Sequence, residues 1–215
     1  EALEDLRYQS LATLEVVLAA IPNGPGGAKV WGTVDVQAVC ASVRLARGPQ
    51  TRHLALRLLA MSAAAAPKRV VEHMMPVFTY IGDSALRSDD VYTFHVVERA
   101  LQSIIPPLVE NGLEPAALLS VFAEALESIP SHRRIRLFTT LLNVLGAQEH
   151  THTLLTLVAA RRHAKKQREA CVGFCVALCG QFGTKVQLPC VLKLLEGVSE
   201  MPRSEAAVKK GGGLG

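Results

Sequence analysis

Apolar residues recur along this chain at intervals of three and four, in runs of two to six helical turns cut by proline, glycine or capping side chains. The clearest pair lies between residues 71 and 109. Val71, Met74, Met75, Phe78 and Ile81 fall on one helical face. After a polar stretch over 83–90, Val91, Phe94, Val97, Leu101, Ile104 and Leu108 fall on another. Asp89 and Asp90 stand just before the second run, where unpaired N–H groups and the positive end of the helix dipole favour acidic side chains.

The rest of the chain follows the same grammar. Leu3, Leu6, Leu11, Leu14, Val17, Leu18 and Ile21 predict a first helix over 3–21, stopped by Pro22-Asn23-Gly24-Pro25-Gly26-Gly27. A flexible loop is expected over 22–32. Thr33 is expected to cap a helix through Val34, Val39, Val43 and Leu45 that closes at Gly48-Pro49. From Gln50 a helix carries Leu54, Leu58 and Met61, and Pro67 restarts the chain at a first helical position. Gly112 closes the helix from Val91, and Pro115 opens one with Leu118, Phe122, Leu126 and Ile129 inward. Pro130 breaks that helix. Ser131 is expected to cap the next, with Ile135, Phe138, Leu142 and Leu145, and Gly146 to end it. A helix from about residue 149 carries Leu154, Leu155 and Val158, and the basic run 161–168 reads as a turn or frayed helix ends. The last two helices place Val172, Cys175, Cys179 and Phe182 inward, then Leu188, Val191, Leu192, Leu195 and Val198. The polar, glycine-rich residues 201–215 are expected to be disordered.

About ten helices with short connections and no strand make an all-α chain. Taken in consecutive pairs they repeat at roughly 40 residues, the period of HEAT and armadillo-type units. Pro76, inside an amphipathic run, supplies the kind of kink that lets helices stack along a curve. A compact bundle would need longer, more uniform helices with heptad seams. The expected fold is an α-solenoid of HEAT/armadillo-like helical pairs, one segment over residues 1–200.

Composition agrees with that fold: hydrophobic residues are 49% of the chain and aromatics only 5%, a mix suited to helix-on-helix packing. The net charge of +4 names no partner by itself. Five cysteines without a regular framework point to a reducing compartment. No apolar run is long enough for a membrane span, so no membrane role is expected. The chain opens on Glu1 and closes on Gly-Gly-Gly-Leu-Gly, and reads as a piece of a longer protein.

Candidate chemistry is thin. Cys171, Cys175 and Cys179 recur every four residues, but a structural zinc site needs a tighter knuckle and four converging ligands, so they read as small buried hydrophobes. His150 and His152, two apart on a helix, point in different directions. No nucleophile stands beside a base, and the glycines of 23–27 lack the lysine and hydroxyl of a phosphate cradle. Neither catalytic activity, a cofactor, a metal nor a small-molecule substrate is expected.

Two basic clusters remain as candidate contacts to phosphate or to an acidic partner. Arg133, Arg134 and Arg136 fall in the first turn of a helix, where the dipole disfavours cations. Their compensation is either Glu127, just before the Pro130 break, or an external phosphate or carboxylate. Arg161, Arg162, Lys165, Lys166 and Arg168 form the second cluster, read as a solvated turn or as a binding edge. Aromatic residues interleave with neither, so base stacking has no support and any nucleic-acid contact would be to the backbone.

Several segments together resemble one family. They are Met75-Pro76-Val77-Phe78-Thr79-Tyr80-Ile81-Gly82, Asp89-Asp90-Val91-Tyr92-Thr93-Phe94, Ile104-Ile105-Pro106-Pro107-Leu108, Ile129-Pro130-Ser131-His132-Arg133-Arg134 and Leu141-Leu142-Asn143-Val144-Leu145-Gly146. In order and spacing, over residues 50–201, they resemble the HEAT repeat-containing protein 1 family, the large HEAT-repeat U-three snoRNA-associated subunits of the small-subunit processome. The resemblance implies a nucleolar scaffold of ribosome biogenesis. It would support processing of small-subunit rRNA and be linked to rDNA transcription by RNA polymerase I. Implied partners are other processome proteins of the early-acting subcomplex, the U-three snoRNP and the 5′ external transcribed spacer of pre-rRNA. The alternative is a HEAT-repeat adaptor of another pathway, such as nuclear transport or phosphatase regulation. The family's insertion near residues 161–170 is short and basic in this chain.

Overall fold

Three prolines and two aspartates set where the helices begin. Pro49, Pro67 and Pro115 each take a first helical position, where a missing N–H costs nothing. Asp35 accepts the Ala38 N–H at 3.0 Å, and Asp90 accepts those of Tyr92 and Thr93 at 3.2 and 2.7 Å. Two glycines mark where helices stop: Gly112 and Gly146 take φ of +102° and +98°, a region costly for any other residue.

The computed structural model describes residues 1–21, 25–86, 90–161 and 165–200. Among these residues there are eleven α-helices and no strand. They are α1 (Ala2–Ala19), α2 (Pro25–Thr33), α3 (Val36–Leu45), α4 (Pro49–Ala65), α5 (Pro67–Tyr80), α6 (Val91–Val109), α7 (Pro115–Glu124), α8 (Ser131–Leu145), α9 (Ala147–Ala160), α10 (Lys165–Cys179) and α11 (Thr184–Glu200). A π-helical turn, Ile81–Ala85, prolongs α5, and a 3-10 turn, Ala125–Glu127, prolongs α7.

The helices form two layers. In one, α1, α4, α6, α8 and α10 lie side by side in that order. In the other lie α3, α5, α7, α9 and α11. From α2 onward each helix therefore meets the helix two places along the chain, while α1 meets α4. The core runs continuously between the layers through Leu56, Leu58, Met74, Phe78, Leu101, Ile104, Phe122 and Phe138, all fully buried. Helix α4 touches α1, α2, α3, α5 and α6. Its run Leu54, Ala55, Leu56, Leu58 and Leu59 is accordingly buried on nearly every side.

Polar ties between units repeat with the same period. Glu4 to Gly48, Arg7 to Leu45, Arg57 to Glu15, Arg69 to Trp31 and Gly32, His53 to Thr93, Arg133 to Asp90, Arg136 to Glu98 and Arg161 to Ala123 all join residues 37–44 apart in sequence. This spacing matches the roughly 40-residue period read from the helix pairs. The architecture is an α-solenoid.

The structure corrects several expectations. Residues 25–32 of the expected loop over 22–32 belong to helix α2, Pro25–Thr33. Its glycines weaken it intrinsically, but Trp31 and Gly27 are buried, and Arg69 donates to the Trp31 and Gly32 carbonyls at 3.0 and 2.6 Å, capping the helix end. Thr33 ends this helix and does not cap the next; Asp35 does. At α8 the capping position is Pro130, with Ser131 one residue inside.

Val172, Leu188, Val191, Leu192 and Leu195, expected inward, are 51–64% exposed, and Leu3, Leu6 and Val17 are 53–69% exposed. The reason is position: α1, α10 and α11 end their rows and have a row neighbour on only one side. The expected disorder over 201–215 lies outside the described residues.

Candidate interaction surface

The first basic cluster sits at the start of α8, and each arginine is engaged. Arg133 is only 6% exposed. Its guanidinium carbon lies 5.0 Å from the centre of the Phe94 ring, and Nη1 donates to the Asp90 carbonyl at 2.9 Å. It ties the first turn of α8 to the first turn of α6. Arg134 Nε donates to the Ile129 carbonyl at 2.8 Å, and its Nη2 to the Glu127 carbonyl at 3.3 Å. Arg136 makes a two-pronged bond to Glu98, Nε to Oε1 at 2.8 Å and Nη2 to Oε2 at 2.5 Å. The cations that the α8 dipole disfavours are thus met by Glu98 of α6, by main-chain carbonyls and by an aromatic face. The expected outward role of Arg133 is corrected: a buried, stacked guanidinium offers no surface to an external phosphate.

The second cluster lies between α9 and α10, beside the first: Arg134 and Arg161 both act on the Cys171 thiol. Arg161 is exposed and donates through Nη1 to the Ala123 carbonyl. Lys165 and Lys166 open α10, and Arg168 is exposed on that helix. The side chains of Lys165 and Lys166, and the whole of Arg162, lie outside the described residues. A hollow of about 290 Å³ lined by Glu127, Arg134, Cys171 and Phe174 lies where α10 packs beside α8.

Sequence reasoning did not connect Glu98 with Arg136, although a carboxylate beside Val97 and Leu101 on an apolar face demands a cation. Glu98 is 7% exposed. Burial alone would raise its pKa, but bonds from Arg136 and from the Thr140 hydroxyl at 3.1 Å, with the Arg136 charge, hold it below its ordinary value. A carboxyl with a lowered folded pKa contributes stability above its unfolded value, near 4.3, and loses that contribution as pH falls through the folded value. Glu98→Gln is accordingly expected to cost about 1–2 kcal/mol at neutral pH. The gap from the parent chain should close on acidification, as read from urea unfolding at stepped pH.

A second buried network joins α4 to α6. The Thr93 hydroxyl donates to Asp90 Oδ2 at 2.5 Å and therefore accepts from His53 Nε2 at 3.1 Å, which assigns that nitrogen its proton. Burial pushes the His53 pKa down against the pull of Asp90, and the imidazole is neutral. The Thr93 hydroxyl bond, with those from the main chain, lowers Asp90.

Beside this network, on the outer side of α4 and α6, lies a groove of about 540 Å³. Arg57, Tyr92, His95, Arg99 and Ser103 form its walls, and Ala60 helps form its floor. Tyr92 is 65% exposed.

Cys171, Cys175 and Cys179 pack along the core edge of α10. Desolvation pushes the Cys175 and Cys190 thiols up to about 11, so they are protonated at neutral pH. Among the described residues no group of three or more His, Cys, Asp or Glu side chains could hold a metal ion. No described helix is long and apolar enough to cross a membrane.

Residues 114–211 match the family model described as HEATR1-like, HEAT repeats. The "U3 small nucleolar RNA-associated protein 10" of Pyricularia oryzae is 38% identical over 209 residues, 91% of this chain and 11% of its own length. "HEAT repeat-containing protein 1" of Danio rerio is 31% identical over 202 residues, 82% of this chain and 9% of its own length. The human protein of the same name is 27% identical over 227 residues, 90% of this chain and 11% of its own length. The chain thus spans about a tenth of the length of these curated relatives. By its two-layered helical stack and by these matches, the chain belongs to the HEATR1-like family of HEAT-repeat proteins.

Proposed function

We propose that this chain is a scaffold segment of ribosome biogenesis, holding protein and rRNA partners of the small-subunit processome in the nucleolus without catalysing a reaction. The observation that carries the reading is the set of relatives named for association with U3 small nucleolar RNA, aligned over most of the chain. The architecture supports it. Two rows of helices present long edges to partners, and apolar side chains stay exposed on α1 at one end and α11 at the other. The early-acting subcomplex and the 5′ external transcribed spacer are the partners this reading names. The link to RNA polymerase I follows from the same reading.

Of the candidate phosphate or acidic-partner contacts, Arg161 and Arg168 have the exposure for that role, and Lys165 and Lys166 share their turn of chain. Arg134 and Arg136 serve it only by exchanging the internal bonds they make. Affinity purification of the tagged protein from cells, with sequencing of the bound RNA, tests the reading. U3 small nucleolar RNA and processome proteins are expected to be enriched. Enrichment of nuclear-transport or phosphatase subunits in their place would assign the chain to the adaptor class instead.

A further inference from the structure

We infer that the groove between α4 and α6 binds a single-stranded polynucleotide, with its phosphates on Arg57, Arg99 and His95 and a base stacked on Tyr92. The inference rests on the rRNA-binding part of the scaffold reading and deepens it, giving that contact one groove and named side chains. It also moves the main polynucleotide contact off both basic clusters apparent in the sequence, of which only Arg136 borders the groove's positive track.

The sign of the charge comes first. Every charged residue lining the groove is cationic. Arg57 holds Glu15 at 2.6 Å yet remains 61% exposed, so its guanidinium keeps nitrogens facing outward. The other nearby carboxylate, Glu98, is buried and spent on Arg136. Arg99 is exposed and makes no ion pair with any described residue. Arg136, 53% exposed, touches His95 at 3.2 Å and carries the positive track onward to α8. Three adjacent helices of one row thus contribute to one basic path, about 20 Å across at ordinary helix spacing.

Hydrogen-bonding character then selects the ligand. The backbone of both walls is helical and its groups are internally bonded. Arg57, Arg99, His95 and Ser103 supply donors, and acceptors are confined to hydroxyls and one imidazole nitrogen. A phosphodiester backbone presents acceptors at each step. An extended peptide would bring N–H groups that this lining leaves largely unmet. The aromatic component is also present: Tyr92 stands at the groove edge with its ring steadied edge-on by His53 at 5.1 Å. Cationic side chains interleaved with an exposed ring form a stacking platform for single strands. In sequence these groups are scattered from residue 57 to residue 136, and only the stacking of α4, α6 and α8 brings them together.

Fluorescence anisotropy of the chain with a short labelled oligouridylate, and separately with a labelled oligoglutamate peptide, tests this at low and rising salt. The oligouridylate is expected to bind. Tyr92→Ala should weaken it about tenfold, in line with the loss of one stacked base, while Tyr92→Phe should stay close to the parent. Arg99→Ala should reduce the slope of log affinity against log salt by about 0.7, one phosphate's worth for a single strand. Circular dichroism of each variant separates lost binding from lost folding; both side chains are exposed, so helicity should hold. Absence of oligouridylate binding at low salt would overturn the inference. So would binding that is insensitive to Tyr92 and Arg99 but abolished by Arg161→Ala with Arg168→Ala. Preferential binding of the oligoglutamate, sensitive to Arg99→Ala and indifferent to Tyr92→Ala, would reassign the groove to an acidic protein. In each of these cases the scaffold reading still stands or falls on the co-purification experiment alone.

Discussion

Replacing Phe122 with alanine is expected to lower the stability of the chain by about 3–5 kcal/mol, enough to depress the thermal midpoint by roughly 10 °C in a chain of this size. Phe122 is fully buried on α7, and its ring centre lies 6.4 Å from that of Phe78 on α5. The pair fills the joint between two consecutive helices of one layer. It belongs to the core between the two layers, whose helical backbones relax only partly into a cavity. Phe174→Ala offers a graded comparison. That ring meets Phe138 at 5.3 Å but is 8% exposed, on the less enclosed α10. Its loss should cost less. Scanning calorimetry gives the totals, and hydrogen exchange should place the Phe122→Ala loss on α5 to α8. Equal costs for the two variants would contradict the account of where the core is deepest.

Gly82→Ala should destabilise by about 1–3 kcal/mol although it adds a single methyl. A Cβ at residue 82 would come 2.8 Å from the Cβ of Ala125, closer than such atoms approach. Ala125 has no torsion with which to move that atom aside, so the π-helical turn after α5 and the 3-10 turn after α7 must separate. Ala125→Gly removes the obstructing carbon. The double variant should therefore be less destabilised than the sum of the two single changes, a non-additivity that urea unfolding can measure. Gly173→Ala gives the opposite sign. Nothing lies within 4 Å of a Cβ at that exposed position inside α10, and alanine there should stabilise by about 0.5–1 kcal/mol.

Gly82 also illustrates what sequence could convey. The apolar periodicity around it located α5 and α6 closely, Pro67 and Asp90 opened those helices as their chemistry requires, and Gly112 and Gly146 marked the ends of α6 and α8. Such signals are local, carried by residues within a few positions of each other. Why residue 82 has no side chain is settled by a turn more than forty residues away. The same distance hid the partners of the arginines: Glu127 was the near candidate for charge compensation, whereas Arg136 reaches Glu98 on α6. Helix α2 was hidden differently. Its glycines argue against a helix, and the caps that hold it come from Arg69. The groove of Arg57, Tyr92 and Arg99 was illegible for the simplest reason, that its walls belong to different helix pairs.

The polar ties 37–44 residues apart also bear on the order of events during synthesis. None of those ties needs residues more than one period downstream. Each can close as soon as the next helical pair has emerged from the ribosome, so the chain can be locked down from its N-terminal side without waiting for its last helix. The loop closed at each step is of nearly constant length, and so is its entropic cost. The array should therefore assemble in steps of similar height, with each completed unit serving as the template for the one being made.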